Sequence, residues 1–247
     1  MGASTGTAWL GMYPFQSLVG HWTLLWSAIR QRLGEGPDEL SWSGDARACW
    51  TAPDLVLGMT CGWPLVTELI DVVDVVGAFD VSVPFAADGR YRSVLVASKP
   101  RSLAEWRSVG DVVVAVNGRD SLSGWVSMCH AWGDAPERVM VTGAHVESLR
   151  AVVSGAAHVA SIDAVTFEHA VAAEPNLGAV HVVGHGPLVP SLPLVTAAGR
   201  VPVTHLRRAI GEALADPSLG PTLAALRVRG FVPLDLSDYR GLSALMR

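Results

Sequence analysis

Strand-sized apolar runs, each followed by a segment with helical spacing, constrain this chain more than any other feature. Thr7–Met12, Asp54–Met59, Val72–Phe79, Tyr91–Ala97, Val112–Val116, Val139–Val141, Val159–Ile162, Val180–Val183 and Leu192–Val195 read as strands. They are predominantly apolar rather than alternating, the pattern of strands buried on both faces of a parallel sheet. Helical stripes separate them. Trp22, Leu25, Trp26, Ile29 and Leu33 share one face of a helix over 22–33, which Gly34 and Gly36 stop. Val146, Leu149 and Val152 line a second stripe, and Val203, Leu206, Ile210 and Leu214 a third. Ser102 and Glu105 have the spacing of a capping box. A terminal helix starts near Ser237, with Tyr239, Leu242 and Leu245 inward. This alternation predicts a parallel-rich α/β architecture.

Composition narrows the function classes. Half of the 247 residues are hydrophobic, enough for one large α/β domain or two lobes. No apolar run approaches the roughly 18 residues that a membrane helix needs. The net charge is −5, and the 18 basic residues (Lys99 and 17 arginines) are scattered, so no phosphate-backbone track forms and a nucleic-acid partner is not expected. Three cysteines, Cys49, Cys61 and Cys129, form neither a disulfide framework nor a Cys-x-x-Cys metal motif. His181 and His185 are four apart, but on a strand that spacing makes no metal pair, so no metal is expected. No cofactor fingerprint or nucleophile elbow occurs, so no cofactor is expected either. Residues 1–8 lack a basic n-region, and Gly6 stands where a myristoylation signal wants Ser or Thr. The chain as given therefore reads as cytoplasmic, or as periplasmic or extracellular if a leader has been removed.

Chemistry concentrates at three strand-to-helix junctions: Thr60-Cys61-Gly62, Asn117 through Gly124, and Gly143-Ala144-His145. Each puts small residues at a helix start, where free backbone N–H groups and the positive dipole end attract anions. All three lie at the carboxyl ends of predicted strands, where open α/β sheets bind ligands. The middle junction is the richest. Ser121 and Ser123 bring hydroxyl donors, and Gly124 lets a ligand approach the backbone; Ser123 serves equally well as a plain N-cap. His145 can donate to an anion or simply face solvent. Asp163 can meet a ligand cation or cap the helix after it. Trp63 and Trp125 can wall a cleft or belong to the core.

Taken in order, Met59–Leu65, Tyr91–Val96, Asn117–Gly124, Gly143–Ala164 and Leu192–Thr196 resemble the phosphate/phosphite/phosphonate class of ABC-transporter substrate-binding proteins. The resemblance covers nearly the whole chain. It implies a type II periplasmic-binding fold: two α/β lobes joined by two crossovers, near Ala87–Arg92 and Gly184–Ser191. The lobes would be residues 1–90 with 190–247, and residues 91–189. In that class a Ser-x-Ser-Gly helix start grips an oxyanion, which falls here on Ser121, Ser123 and Gly124. The facing loop falls on Thr60, Cys61 and Gly62, and an aromatic ending the first strand on Tyr13. The implied partners are a small anionic molecule and, if the chain is exported, an ABC permease; a monomer is expected. One departure bears on specificity. Gly-Ser-His, common at the third junction, is Gly143-Ala144-His145 here, which removes a hydroxyl and opens the site to carboxylates or sulfonates as well as phosphonates.

A rival reading is a cytoplasmic biosynthetic enzyme on the same fold, acting on a small carboxylate or phosphorylated substrate, as certain menaquinone-pathway proteins do. Cys61, a thiol at a helix start, would then be its nucleophile, with His145 and Asp163 beside it. A third reading is an interaction module with no ligand.

Overall fold

A computed structural model describes residues 6–42 and 44–246. Residues 1–5, on which much of the leader and lipidation reading falls, lie outside them. In chain order the elements are β1 (Thr7–Trp9), α1 (Val19–Leu33), α2 (Ala46–Trp50), β2 (Leu55–Met59), α3 (Gly62–Thr67) and β3 (Val73–Val81). There follow β4 (Arg90–Tyr91), β5 (Val94–Ala97), α4 (Leu103–Ser108), β6 (Val113–Val116), a π-helical turn (Leu122–Val126), α5 (Ser127–Trp132), β7 (Arg138–Val141), α6 (His145–Val153), β8 (Val159–Ile162), α7 (Ala164–Ala173) and β9 (His181–His185). The chain closes with β10 (Val189–Pro190), β11 (Pro193–Ala197), α8 (Val203–Leu214), α9 (Gly220–Ala225), β12 (Val228–Val232) and α10 (Leu236–Tyr239). They form two compact units. The first comprises residues 1–82, 86–90 and 190–242; the second comprises 83–85, 91–189 and 243–247.

The first unit is built on a five-stranded sheet in the order β1-β2-β11-β3-β12. β2 and β11 are buried at every position, which explains their uninterrupted apolar sequence. Trp22, Leu25, Trp26 and Ile29 form the buried stripe of α1, which packs on α8 and α9. Gly34 ends α1 at φ 80°, a left-handed conformation that glycine adopts without a side-chain clash. Here the expected parallel order gives way: β11 runs antiparallel to both β2 and β3. It is the strand by which the chain returns from the second unit, so it enters the sheet from the other end. β12, whose alternation Arg229 and Gly230 interrupt, and the short α2, capped by Asp45, went unread in the sequence. Past α10, Tyr239 and Leu242 are buried as expected, and the Tyr239 hydroxyl donates to the Ser191 carbonyl at 2.9 Å.

The second unit repeats the plan with the order β7-β6-β8-β5-β9. β7, β6 and β8 are parallel. β5, the strand that enters from the first unit, is antiparallel to β8 and β9. The single strand expected over Tyr91–Ala97 is broken at Arg92–Ser93. There the Ser93 carbonyl accepts from Gly186 N at 2.9 Å, and the Arg92 guanidinium donates to the Gly186 carbonyl at 2.9 Å. α4 carries the capping box read from Ser102 and Glu105. β4 pairs with β10 as a two-stranded ribbon where the chain passes between units. Asp88 (φ 52°) and Gly89 (φ 68°) make a tight reversal just before it. Within the first unit, Asp80 holds that reversal by accepting from Gly89 N at 3.1 Å and from Arg229 through both oxygens. No described helix is long and apolar enough to cross a membrane.

Candidate functional site

The helix that opens after β6 starts differently from the sequence reading. Ser121, not Ser123, is its N-cap: Ser121 Oγ accepts from Gly124 N at 3.0 Å. The first turn is π-helical, with Trp125 N and Val126 N both donating to the Ser121 carbonyl. This leaves Ser123 out of the capping role. Its hydroxyl lies 2.8 Å from His145 Nε2 at the start of α6, and its carbonyl accepts from Ser161 Oγ on β8 at 2.5 Å. The second and third junctions are therefore joined by a side-chain hydrogen bond.

Asn117 fixes how closely the turn can pack. A Cβ added at Gly124 would overlap Asn117 Oδ1 and come within 3.2 Å of Ser121 Oγ. Asn117 Oδ1 is itself buried without a hydrogen bond. A Gly124→Ala substitution should therefore displace Asn117, unseat the cap, lower the melting temperature and weaken anion binding more than tenfold, roughly 1.4 kcal/mol. A thermal melt with a parallel binding titration would show it.

His145 and Asp163 come next. Burial pushes the His145 imidazole below its ordinary pKa, while the Asp163 charge and the Ser161 backbone pull the other way. Its Nδ1 is buried and makes no hydrogen bond. Asp163 performs the capping role foreseen for it, accepting from Thr166 N at 2.9 Å. Its other oxygen accepts from the Tyr91 hydroxyl at 2.8 Å. Asp163 is only 3% exposed, and a buried carboxylate needs such donors. Sequence reading missed Tyr91 and Ser161 as site residues. Both left a signal: each is a lone hydroxyl beside or within an apolar strand, and buried hydroxyls find partners.

Trp125 follows Gly124 within the π-helical turn. The Arg119 guanidinium covers its ring at 4.5 Å from the centroid, and the indole is 8% exposed. It is packed beneath a cation rather than presented as an open wall.

In the first unit, Thr60, Cys61 and Gly62 are buried, Trp63 is half-buried, and Tyr13 is buried just past β1. Thr60 N already donates to the Pro193 carbonyl at 3.0 Å. The Thr60 hydroxyl makes a long 3.5 Å contact to the Cys61 carbonyl. Cys61 takes the N-cap position of α3 without a side-chain cap bond. All three cysteines are buried, and none is in a disulfide. His181 and His185 sit on β9, and no metal-binding cluster of His, Cys, Asp or Glu occurs among the described residues.

A family model described as the periplasmic substrate-binding protein of a phosphonate ABC transporter matches residues 69–239. No curated protein matches the chain. Among solved structures, it is similar to a binding-protein component of an ABC phosphonate transporter from Pseudomonas aeruginosa. That likeness has 18% identity and a TM-score of 0.73, over 94% of this chain and 82% of the other. A second, from Prochlorococcus marinus in complex with methylphosphonate, has 13% identity and a TM-score of 0.72, covering 97% and 96%. A third, from Rhodopseudomonas palustris with bound malate, has 14% identity and a TM-score of 0.60, covering 99% and 96%. At such identities the likeness concerns the fold, the two-lobed periplasmic-binding architecture.

Proposed function

The chain belongs to the family of periplasmic substrate-binding proteins of phosphonate ABC transporters, and from that premise we propose that it binds one small oxyanion and hands it on unaltered. The observation that carries this reading is the Ser121–Gly124 turn. It offers the Ser123 hydroxyl and the adjacent His145 ring, with no charged side chain within the turn. Neutral donors of this kind bind an anion strongly and still release it. Ser123 holds the oxyanion, with Ser121, Gly124 and His145 setting the shape of the turn and the direction of its hydroxyl. Thr60, with Cys61 and Gly62 beside it, is a second donor group, in the first unit. Tyr13, Trp63, Trp125 and Asp163 shape selectivity, Trp125 indirectly through Arg119.

Ala144 supplies no hydroxyl, so the site tolerates ligands with fewer acceptor oxygens than a dianionic phosphonate. Methylphosphonate, found in the Prochlorococcus structure, is the first ligand to try; small carboxylates follow, malate being bound by the Rhodopseudomonas one. The family's periplasmic setting supports a place of action outside the cytoplasm, with an ABC permease as partner. One copy of the chain carries all these residues, so a monomer suffices.

A thermal-shift panel of phosphate, phosphite, alkylphosphonates, sulfonates and small carboxylates tests the reading. A ligand at a hundred times its Kd adds about 2.7 kcal/mol. For a chain of this size that is a rise of roughly 5–10 °C in Tm. A response confined to one anion class is expected. A flat panel would overturn the proposal.

A further inference from the structure

A serine hydroxyl has one proton to give. Ser123 Oγ lies 2.8 Å from His145 Nε2. If the ring accepts at Nε2, the hydroxyl proton is spent on the imidazole and none is left for an anion. If the ring donates, Ser123 accepts from it and turns its own proton outward. A neutral imidazole can play either part; an imidazolium, protonated on both nitrogens, can only donate. An anion bound to the Ser123 hydroxyl therefore favours the charged ring twice, through the direction of the hydroxyl and through its own negative charge. We propose that anion uptake at the Ser121–Gly124 turn draws a proton from solvent onto His145, so that anion and proton bind as a pair. The inference rests on the reading of that turn as the anion site, and it makes His145 a positioning residue acting through Ser123.

The surroundings of the ring fit this role. His145 Nδ1 is buried with no hydrogen bond, so neither neutral tautomer is fully satisfied in the empty site. Burial disfavours the charged ring there. The titratable groups on the elements packed against α6 are few. β5, β6 and β8 carry none. α7 carries Glu168 and His169 and begins at Asp163; Glu174 precedes the turn after it. On α6 itself, Glu147 pairs with Arg150 at the surface, and Arg150 also pairs with Glu174. Arg119 and Asp120 stand before the π-helical turn, and Arg119 is engaged with Trp125. Of all these groups, Asp163 is the one whose charge acts on the ring, and it favours the protonated form. In the uptake step a hydronium ion of the solvent gives up a proton, its O–H bond breaking to leave water as one N–H bond forms on the unprotonated ring nitrogen, and no bond of the ligand breaks.

The sign follows from linkage. The loaded site carries one proton more than the empty one, so binding strengthens as pH falls. Between the empty-site and loaded-site pKa values of His145, Kd rises about tenfold for each unit of pH increase. Outside that window it is flat.

Proton NMR of the histidine ring signals in the full chain tests this, titrated across roughly pH 5 to 9 with and without saturating methylphosphonate. The His145 signal is assigned by its loss in His145→Gln. The expected result is an upward move of the His145 pKa by at least about one unit, a tenfold coupling, that vanishes in Ser123→Ala. His145→Gln, whose amide still donates to Ser123, should bind methanesulfonate with an affinity no longer dependent on pH. Methanesulfonate itself does not titrate in this range, so any dependence seen with the unsubstituted chain belongs to the protein. Methylphosphonate binding that leaves the His145 pKa unmoved would overturn the proposal while the anion-site reading stands. Absence of binding by any oxyanion would overturn both. Should the glutamine variant fail to fold, the Ser123→Ala titration decides the same question.

Discussion

With Ser121 and Ser123 both replaced by alanine, affinity for the bound oxyanion is expected to fall at least about a hundredfold. Hydrogen bonds to a charged group contribute roughly 1.5–3 kcal/mol each. Ser123 gives one such bond directly. Ser121 acts by holding Gly124 N and so the shape of the turn. With about 1 kcal/mol for the lost cap, the two account for about 2.5–4 kcal/mol, two to three powers of ten in Kd. The single variants should differ in kind. Ser121→Ala removes an N-cap, worth about 1 kcal/mol of stability, and lowers Tm as well as affinity. Ser123→Ala leaves the cap intact, so it lowers affinity with little change in Tm. Calorimetric titration beside a thermal melt separates the two effects. Equal affinity for the double variant and the parent would remove the turn from the site.

The largest loss of stability is expected from Gly77→Ala, at the centre of β3. Gly77 has φ 151°, where side chains are rarely tolerated. A Cβ there would sit 2.5 Å from the Val232 carbonyl and 2.6 Å from the Phe231 ring. The carbonyl belongs to β12, which pairs with β3 at this very place, so it cannot move without opening the ladder. Overpacking costs about 1–3 kcal/mol, and the backbone conformation adds about 1 kcal/mol. A fall in Tm of roughly 5–15 °C follows for a chain of this length. Ligand affinity per folded molecule should hardly change, since Gly77 lies in the sheet and not in the anion turn. A melt indistinguishable from the parent would mean that β12 does not seat against Gly77 as described.

Burial decided what could be read in advance. Strands covered on both faces, such as β2 and β8, show as unbroken apolar runs. Amphipathic helices such as α1 and α8 show as stripes. Strand direction leaves no such mark. β5 and β11 are as apolar as their parallel neighbours, and they run the other way only because the crossovers deliver them from the opposite end. The candidate site was legible in outline and blurred in detail. Ser121 and Ser123 satisfy the chemistry of an N-cap equally well, and the choice fell to Ser121 through the turn closed by Ser121 N on the Gly118 carbonyl. That choice released Ser123 for His145, more than twenty residues away in sequence, a pairing no local pattern announces. Trp125 was weighed as a cleft wall because it follows Gly124. In the structure its ring lies under the Arg119 guanidinium, a contact the sequence pattern does not mark. Tyr91 lay within a stretch that resembles the family, yet its bond to Asp163 depends on where β4 and β8 end in space.

Equilibrium dialysis of the purified chain against radiolabelled methylphosphonate, with unlabelled anions as competitors and chromatography of what is recovered, tests the central claim most directly. One labelled molecule retained per chain, displaced by a single class of oxyanion, lost in the Ser121/Ser123 double alanine variant and recovered chemically unchanged, is the predicted result. No retention and no displacement by any oxyanion, or recovery of a converted product, would contradict it.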